Sequence, residues 1–220
     1  MANRPVFVSD DTVYVRTVNT EFVYHNGLSK AQRQRSSISL REAFKKSHPD
    51  AKILEVSRFS EDAIGNELSA FNLLISLEDG RRVPLEAAYQ AGKIFESGGP
   101  YKDLLSVSPK AAKTDPRLSE SGRITGFDFE GRRIPTRPVR LFYTWLYLRA
   151  LSENEAVARR LCGYDAFTDI AFNPQKSINC QAFACALYIS LRKKGQLEKA
   201  LADIEFLSGI LSPSPLHDFF

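Results

Sequence analysis

From Val139 to Leu148 the chain reads Val-Arg-Leu-Phe-Tyr-Thr-Trp-Leu-Tyr-Leu. Wound as a helix, this segment has almost no polar stripe, and a helix that is apolar on nearly every side has to be enclosed by the rest of the chain. It predicts a buried central helix around which the other elements close, with Trp145, the single tryptophan, in the core. At 220 residues the chain hides enough surface on folding to need neither disulfide nor metal for stability.

The flanking segments supply the elements that do the enclosing. Val6-Phe7-Val8 and Thr12 to Thr17 read as two short strands turned at Ser9-Asp10-Asp11. The stretch Lys30 to Lys46 is polar and basic, and Ser39-Leu40-Arg41-Glu42 has the form of a capping box for a helix ending near His48-Pro49. Its cations, Lys30, Arg33, Arg35, Arg41, Lys45 and Lys46, fit either a nucleic-acid contact or a solvated helix face. Ile53 to Val56 reads as a strand, as does Asn72 to Leu77, which turns at Glu78-Asp79-Gly80-Arg81 into Arg82-Val83. Pro84 suits the first position of a helix over Leu85 to Glu96, stopped by Gly98-Gly99-Pro100. A second hairpin spans Ile124 to Ile134 around Glu130-Gly131, and Ser108 caps before Pro109. Ser152-Glu153-Asn154-Glu155 opens a helix closing at Gly163, and two more cover Gln181 to Lys194 and Gln196 to Leu211, parted by Gly195 and ended by Pro213. The expected class is α+β, mainly helical, with short β-hairpins. No βαβ rhythm and no glycine-rich phosphate loop is present, which argues against a Rossmann or P-loop fold.

Composition narrows the chemistry. A net charge of +4 from 30 Lys and Arg against 26 Asp and Glu suits an anionic ligand without demanding one. Cys162, Cys180 and Cys185 form no Cys-x-x-Cys pair, which points to a reducing cytoplasm, with Cys180 and Cys185 as packing residues. His25, His48 and His217 are scattered, so no metal is expected. No signal peptide and no membrane-spanning run is read.

The most informative segment is Val83 to Phe95, where Glu86, Gln90 and Lys93 stand at i, i+4 and i+7. On one helix these three side chains share a face. They form either a carboxylate, amide and amine converging on a pocket or an exposed stabilising stripe. Ala87, Ala88, Ala91 and Gly92 are small enough to let other segments approach, while Tyr89 and Phe95 supply bulk on another arc.

Leu68-Ser69-Ala70-Phe71, the hairpin, and Glu86-Ala87-Ala88-Tyr89-Gln90-Ala91-Gly92-Lys93-Ile94-Phe95 together resemble the pattern of the NADAR (YbiA-like) family, Ser-Asn-Phe followed by Glu-His-x-x-Gln-Ala-x-Lys-Phe. Phe167-Thr168-Asp169 and Lys176-Ser177-Ile178-Asn179 are similar to the family's Trp-Gly-Asp and Gly-Lys-Asn blocks. The resemblance runs from about Asn66 to Arg192, with Ala70 in place of Asn, Ala87 in place of His and Phe167-Thr168 in place of Trp-Gly. The N-terminal extension and the run Asn173 to Gln181 look most like the NADAR antitoxins of DarT/DarG toxin–antitoxin systems. On this resemblance residues 1–60 form an integral extension, 61–211 a NADAR-like catalytic domain and 212–220 a tail.

The resemblance implies a cofactor-free ADP-ribosyl glycohydrolase that frees guanine bases, in DNA or a nucleotide, from ADP-ribose, with the cognate DarT toxin as a further partner and neither metal nor membrane involved. Lys93 is then the candidate nucleophile, forming a Schiff base at the anomeric carbon once its pKa is lowered by burial against Tyr89 and Phe95 or by Arg123 or Lys176. Glu86 is the candidate acid/base, and Asp169 holds ribose hydroxyls or orients Lys93. The alternative is a pair of carboxylates working without covalent help, Lys93 only anchoring a hydroxyl or phosphate. Ser69 and Gln90 join the substrate-binding set. Phe71, Tyr89 and Phe172 serve as base platforms or as core. Arg123, Arg132, Arg133 and Lys176 hold the pyrophosphate or are solvated, and Asn179 or Gln181 binds substrate or caps the following helix. Competing functions are an N-glycosidase of riboflavin-pathway intermediates, a non-catalytic ADP-ribose-binding module, and a module that occludes the toxin.

Overall fold

The N-terminal strands β1 (Ala2–Asp10) and β2 (Tyr14–Phe22) form an antiparallel hairpin, in the computed structural model describing residues 1–27, 29–172 and 181–212. Asp10 builds the turn: its Oδ1 accepts from the Thr12 and Val13 backbone N–H groups at 2.8 and 3.0 Å. Helix α1 (Lys30–Lys45) starts at Ser29, whose hydroxyl accepts from the Gln32 N–H. The capping box expected at Ser39 is therefore mid-helix. The start lies ten residues earlier because Ser36 and Ser37 are small enough to be buried against the N-terminal segment, where Ser36 bonds both backbone groups of His25. Leu40 and Phe44 continue that buried stripe.

After α1 come β3 (Ile53–Glu55), α2 (Ala63–Glu67) and the hairpin β4 (Leu74–Ser76) and β5 (Arg82–Pro84), turned where Gly80 takes a positive φ. Pro84 thus ends a strand and serves as N-cap of α3 (Leu85–Ala91), rather than as its first residue. Helix α3 stops five residues short of the expected Glu96. Gly92 ends it: a Cβ there would lie 2.7 Å from Phe142 Cζ and 2.8 Å from the Asp128 carbonyl oxygen, and its own carbonyl accepts from Asp128 N–H. The chain leaves as β6 (Lys93–Phe95), and Gly98-Gly99-Pro100 turns it back, with Phe95 N–H on the Gly98 carbonyl. A 3-10 turn (Lys102–Ser106), α4 (Pro109–Lys113, capped by Ser108 as expected) and α5 (Arg117–Glu120) precede the hairpin β7 (Ile124–Phe129) and β8 (Arg132–Ile134), which pairs with β6.

Helix α6 (Leu141–Glu153) is the enclosed central helix, buried from Leu141 to Leu148 and at Ala150 and Leu151. Each such leucine contributes about 2 kcal/mol by leaving water. Trp145 donates its indole N–H to the Leu201 carbonyl at 3.0 Å. Helix α7 (Glu155–Leu161) leads to β9 (Ala166–Thr168), the strand that gathers the first sheet in the order β2-β1-β9-β3, antiparallel to β1 and parallel to β3. Helix α8 (Gln181–Lys193) packs on α6 and buries Cys185. The expected helix over Gln196 to Leu211 is two helices, α9 (Leu197–Ala202) and α10 (Ile204–Leu211). Asp203 breaks it, its carboxylate accepting from the Glu205 and Phe206 N–H groups and restarting the helix. No helix among the described residues is long and apolar enough to cross a membrane.

Candidate active site

A cavity of about 480 Å³ opens between α3, the loops after β3 and β9, and the start of α8. Its floor is a chain of polar groups. Lys93 Nζ donates to Gln90 Oε1 at 2.6 Å, and Gln90 Nε2 donates to Glu86 Oε1 at 2.8 Å. Glu86 and Gln90 are each 5% exposed, so these bonds face little competition from water. The three expected residues do converge, although Lys93 reaches the group from the first position of β6, one residue past the helix C-cap. Short α3 places them: Glu86 N–H is tied to the Ala70 carbonyl, fixing the helix start beside the Ser69-Ala70-Phe71 loop.

Burial lowers the Lys93 ammonium from its usual 10.5 to about 8; Glu86 opposes that fall and Lys113 deepens it. A substantial fraction of the amine is then neutral near pH 8 and nucleophilic. Among the described residues the neighbouring cation is Lys113, which ends α4 and ion-pairs with Glu86 Oε1 at 3.3 Å. Arg123, expected in that role and on the pyrophosphate, is instead 89% exposed, bonded to Glu96, and is not among the residues lining the cavity. Arg132 donates to the Leu201 and Ala202 carbonyls, and Arg133 pairs with Asp128. Lys176, Asn179 and Cys180 lie outside the described residues.

The aromatic residues divide. Phe71 lines the cavity between two cations, Lys113 Nζ at 5.4 Å and Arg58 Cζ at 5.9 Å from its centroid. Tyr89 lies under Lys93, with Nζ 4.7 Å from its centroid, and meets Tyr143 edge to face and Phe142 and Phe127 behind. That packing makes it a rigid wall of the amine's pocket. Phe172 and Ser69 also line the cavity. Gln181 does not cap its helix: Oε1 accepts from Ala70 N–H at 2.9 Å and Nε2 donates to the Val56 carbonyl at 2.7 Å, joining the two loops over the cavity.

Asp169, just past β9, lines the cavity and closes a turn by accepting from the Ala171 and Phe172 N–H groups. Burial and the charge of Glu55 push its carboxyl up to about 8. Sequence reading missed Arg58, Lys113, Ser57 and Tyr143. None carried a local signal; each is brought in by packing between segments distant in sequence.

The arrangement is a half-buried amine of lowered pKa beside an ion-paired carboxylate, with a second carboxyl across the cavity. A family model described as DarT1-associated NADAR antitoxin matches residues 2–217. The chain belongs to the DarT1-associated NADAR antitoxin family. A search of curated proteins finds no match. In this NADAR antitoxin the matched region takes in β1 and β3 as well as the cavity, so the strands that hold Asp169 lie inside the family unit.

Proposed function

We propose that this NADAR antitoxin is a glycohydrolase that removes ADP-ribose from guanine bases in DNA, reversing the modification made by a DarT toxin. The observation that carries this reading is the Lys93 amine, lowered to about 8 and aligned through Gln90 with Glu86 on the floor of the cavity. Family membership directs the choice of substrate, and a volume of about 480 Å³ falls within the roughly 300–1,000 Å³ usual for ligand pockets.

The bond to be broken joins the anomeric carbon of ADP-ribose to the exocyclic nitrogen of guanine. Neutral Lys93 attacks that carbon; the guanine amine departs, and the sugar opens to a Schiff base on Lys93. Water then adds to the C=N bond and releases ADP-ribose. Glu86 exchanges the protons, its charge held in place by Gln90 and Lys113. Burial disfavours the ammonium form of Lys93, and the Tyr89 ring lies beneath its Nζ. Phe71, flanked by Arg58 and Lys113, offers a platform on which a base stacks with phosphate close to the cations.

The test is release of free ADP-ribose from an oligonucleotide carrying ADP-ribosyl-guanine, with a ribosylaminopyrimidine assayed beside it. Product from the oligonucleotide alone, abolished by Lys93→Ala and by Glu86→Ala, is the expected result. Turnover of the pyrimidine alone would move the assignment to a riboflavin-pathway N-glycosidase, and tight binding without turnover to a non-catalytic module.

A further inference from the structure

Arg58 stands on the loop after β3 and lines the cavity, and among the described residues its guanidinium has no carboxylate partner. Other arginines of the surface, such as Arg117, Arg149 and Arg160, each close on an acidic side chain. Arg58 instead lies over the Phe59 ring, with Cζ 4.9 Å from its centroid, and 5.9 Å from the centroid of Phe71. Contact with aromatic rings steadies the guanidinium and occupies none of its N–H donors, which stay available to a ligand.

The backbone that carries Arg58 is tied down on both sides. Wholly buried Glu55 accepts from Ser57 Oγ at 2.6 Å, and Ser57 Oγ accepts in turn from the Phe59 N–H at 3.2 Å. The Arg58 carbonyl accepts from Asn66 Nδ2 at 3.1 Å. Helix α2 lies directly against the loop: a Cβ on Gly65 would sit 2.0 Å from the Glu55 carbonyl oxygen and 2.3 Å from Ser60 Oγ. Glu55 also accepts from Thr168 Oγ1 at 2.7 Å and from the Ile170 N–H at 2.9 Å, which joins the Arg58 loop to the Asp169 loop. A side chain on a backbone fixed in this way has less freedom to lose when a ligand is bound.

Resting on the glycohydrolase reading, we propose that Arg58 binds the pyrophosphate of ADP-ribose and, with Lys113, makes the cavity selective for a diphosphate-bearing sugar. Lys113 Nζ is 5.4 Å from the centroid of the same Phe71 ring and 3.3 Å from Glu86 Oε1. One cation thus adjoins the row of Glu86, Gln90 and Lys93, and the second stands by the ring that both cations share. The guanidinium fork takes two phosphate oxygens at once, and the lysine supplies a point charge. The source of the phosphate follows from the connectivity of the substrate. In ADP-ribose the pyrophosphate is carried by the very sugar whose anomeric carbon Lys93 attacks, whereas the phosphates of the DNA backbone lie beyond guanine and its deoxyribose. An anion site in the cavity that also holds Lys93 fits the former.

The test is calorimetric titration of ADP-ribose into wild type, Arg58→Gln and Arg35→Gln. Arg35 is an exposed arginine of α1 outside the cavity lining, so its variant removes the same charge from another place. Arg58→Gln is expected to weaken ADP-ribose about tenfold or more, and Arg35→Gln by less than about twofold. Unchanged affinity in Arg58→Gln overturns the proposal, and so do equal losses in the two variants, which would mean a general field rather than a contact. An unmodified oligonucleotide is titrated beside ADP-ribose; if Arg58→Gln weakens only the oligonucleotide, Arg58 belongs to the DNA backbone and the proposal falls. In turnover of the ADP-ribosyl-guanine oligonucleotide, Arg58→Gln should raise KM and leave kcat within about threefold, as expected for a group that binds ground state and transition state alike. A lower kcat at unchanged KM overturns that role. A wild type that neither binds ADP-ribose nor turns over substrate would bring down the glycohydrolase reading and the assignment with it, whereas a wild type that does both and is matched by Arg58→Gln brings down the assignment alone.

Discussion

Lys93→Met isolates what burying the amine costs. Met keeps an unbranched stem of similar length against Tyr89 and removes the charge. The wild-type ammonium falls from 10.5 to about 8 because burial penalises it, and a depression of that size is worth about 3 kcal/mol at about 1.4 kcal/mol per pH unit. The substitution also strips Gln90 Oε1 of its donor, a loss of about 1–3 kcal/mol for a buried acceptor. At pH 7 the two nearly cancel, and the variant is expected between equal stability and about 2 kcal/mol more stable, with no turnover. The pH dependence is cleaner because the lost hydrogen bond is common to every pH. Between about 8 and 10.5 the unfolded chain holds the Lys93 proton and the folded chain does not, so wild-type stability rises with pH across that window relative to the variant. Urea unfolding of both proteins at a series of pH values should show the variant's advantage shrinking by about 3 kcal/mol between pH 7 and 10.5. Parallel curves would refute the argument, since they would mean the amine titrates alike in the folded and unfolded chain.

Other substitutions test the placement of the site. Gly92→Ala forces a methyl group against Phe142 and the Asp128 carbonyl; it should cost about 1–3 kcal/mol in urea unfolding and lower kcat/KM by displacing Lys93. Gln181→Leu leaves Ala70 N–H and the Val56 carbonyl without their side-chain partner and should lower stability by about 2–4 kcal/mol. Arg123→Ala touches only an exposed ion pair and should leave kcat/KM within about twofold of wild type; a loss of tenfold or more would return Arg123 to the substrate.

Features written in local chemistry were legible in the sequence. The apolar run in α6 has to be buried whatever surrounds it, and Asp79-Gly80 needs only its own φ preference to turn β4 into β5. Glu86, Gln90 and Lys93 were legible as a group because helical spacing brings them near one another even though the helix ends at Ala91. Legibility failed where distant segments decide. Helix α3 gives way at Gly92, whose carbonyl accepts from Asp128 N–H, and Phe142, fifty residues on, comes so close there that a side chain would not fit. Ser29 rather than Ser39 starts α1 because the face carrying Ser36 and Ser37 is covered. Lys113 reads as one lysine of a short solvated helix until α4 packs on α3, and Glu55 reads as a polar interruption of a strand until β9 arrives beside it.

The most direct measurement is borohydride trapping during turnover of an ADP-ribosyl-guanine oligonucleotide, followed by peptide mass spectrometry. Reduction of a Schiff base fixes the sugar to the enzyme as a secondary amine. The expected result is an ADP-ribose adduct on the peptide containing Lys93, absent from Lys93→Ala. Continued release of ADP-ribose by wild type with no adduct on Lys93 would contradict the role given to this residue and leave the chemistry to the two carboxyl groups.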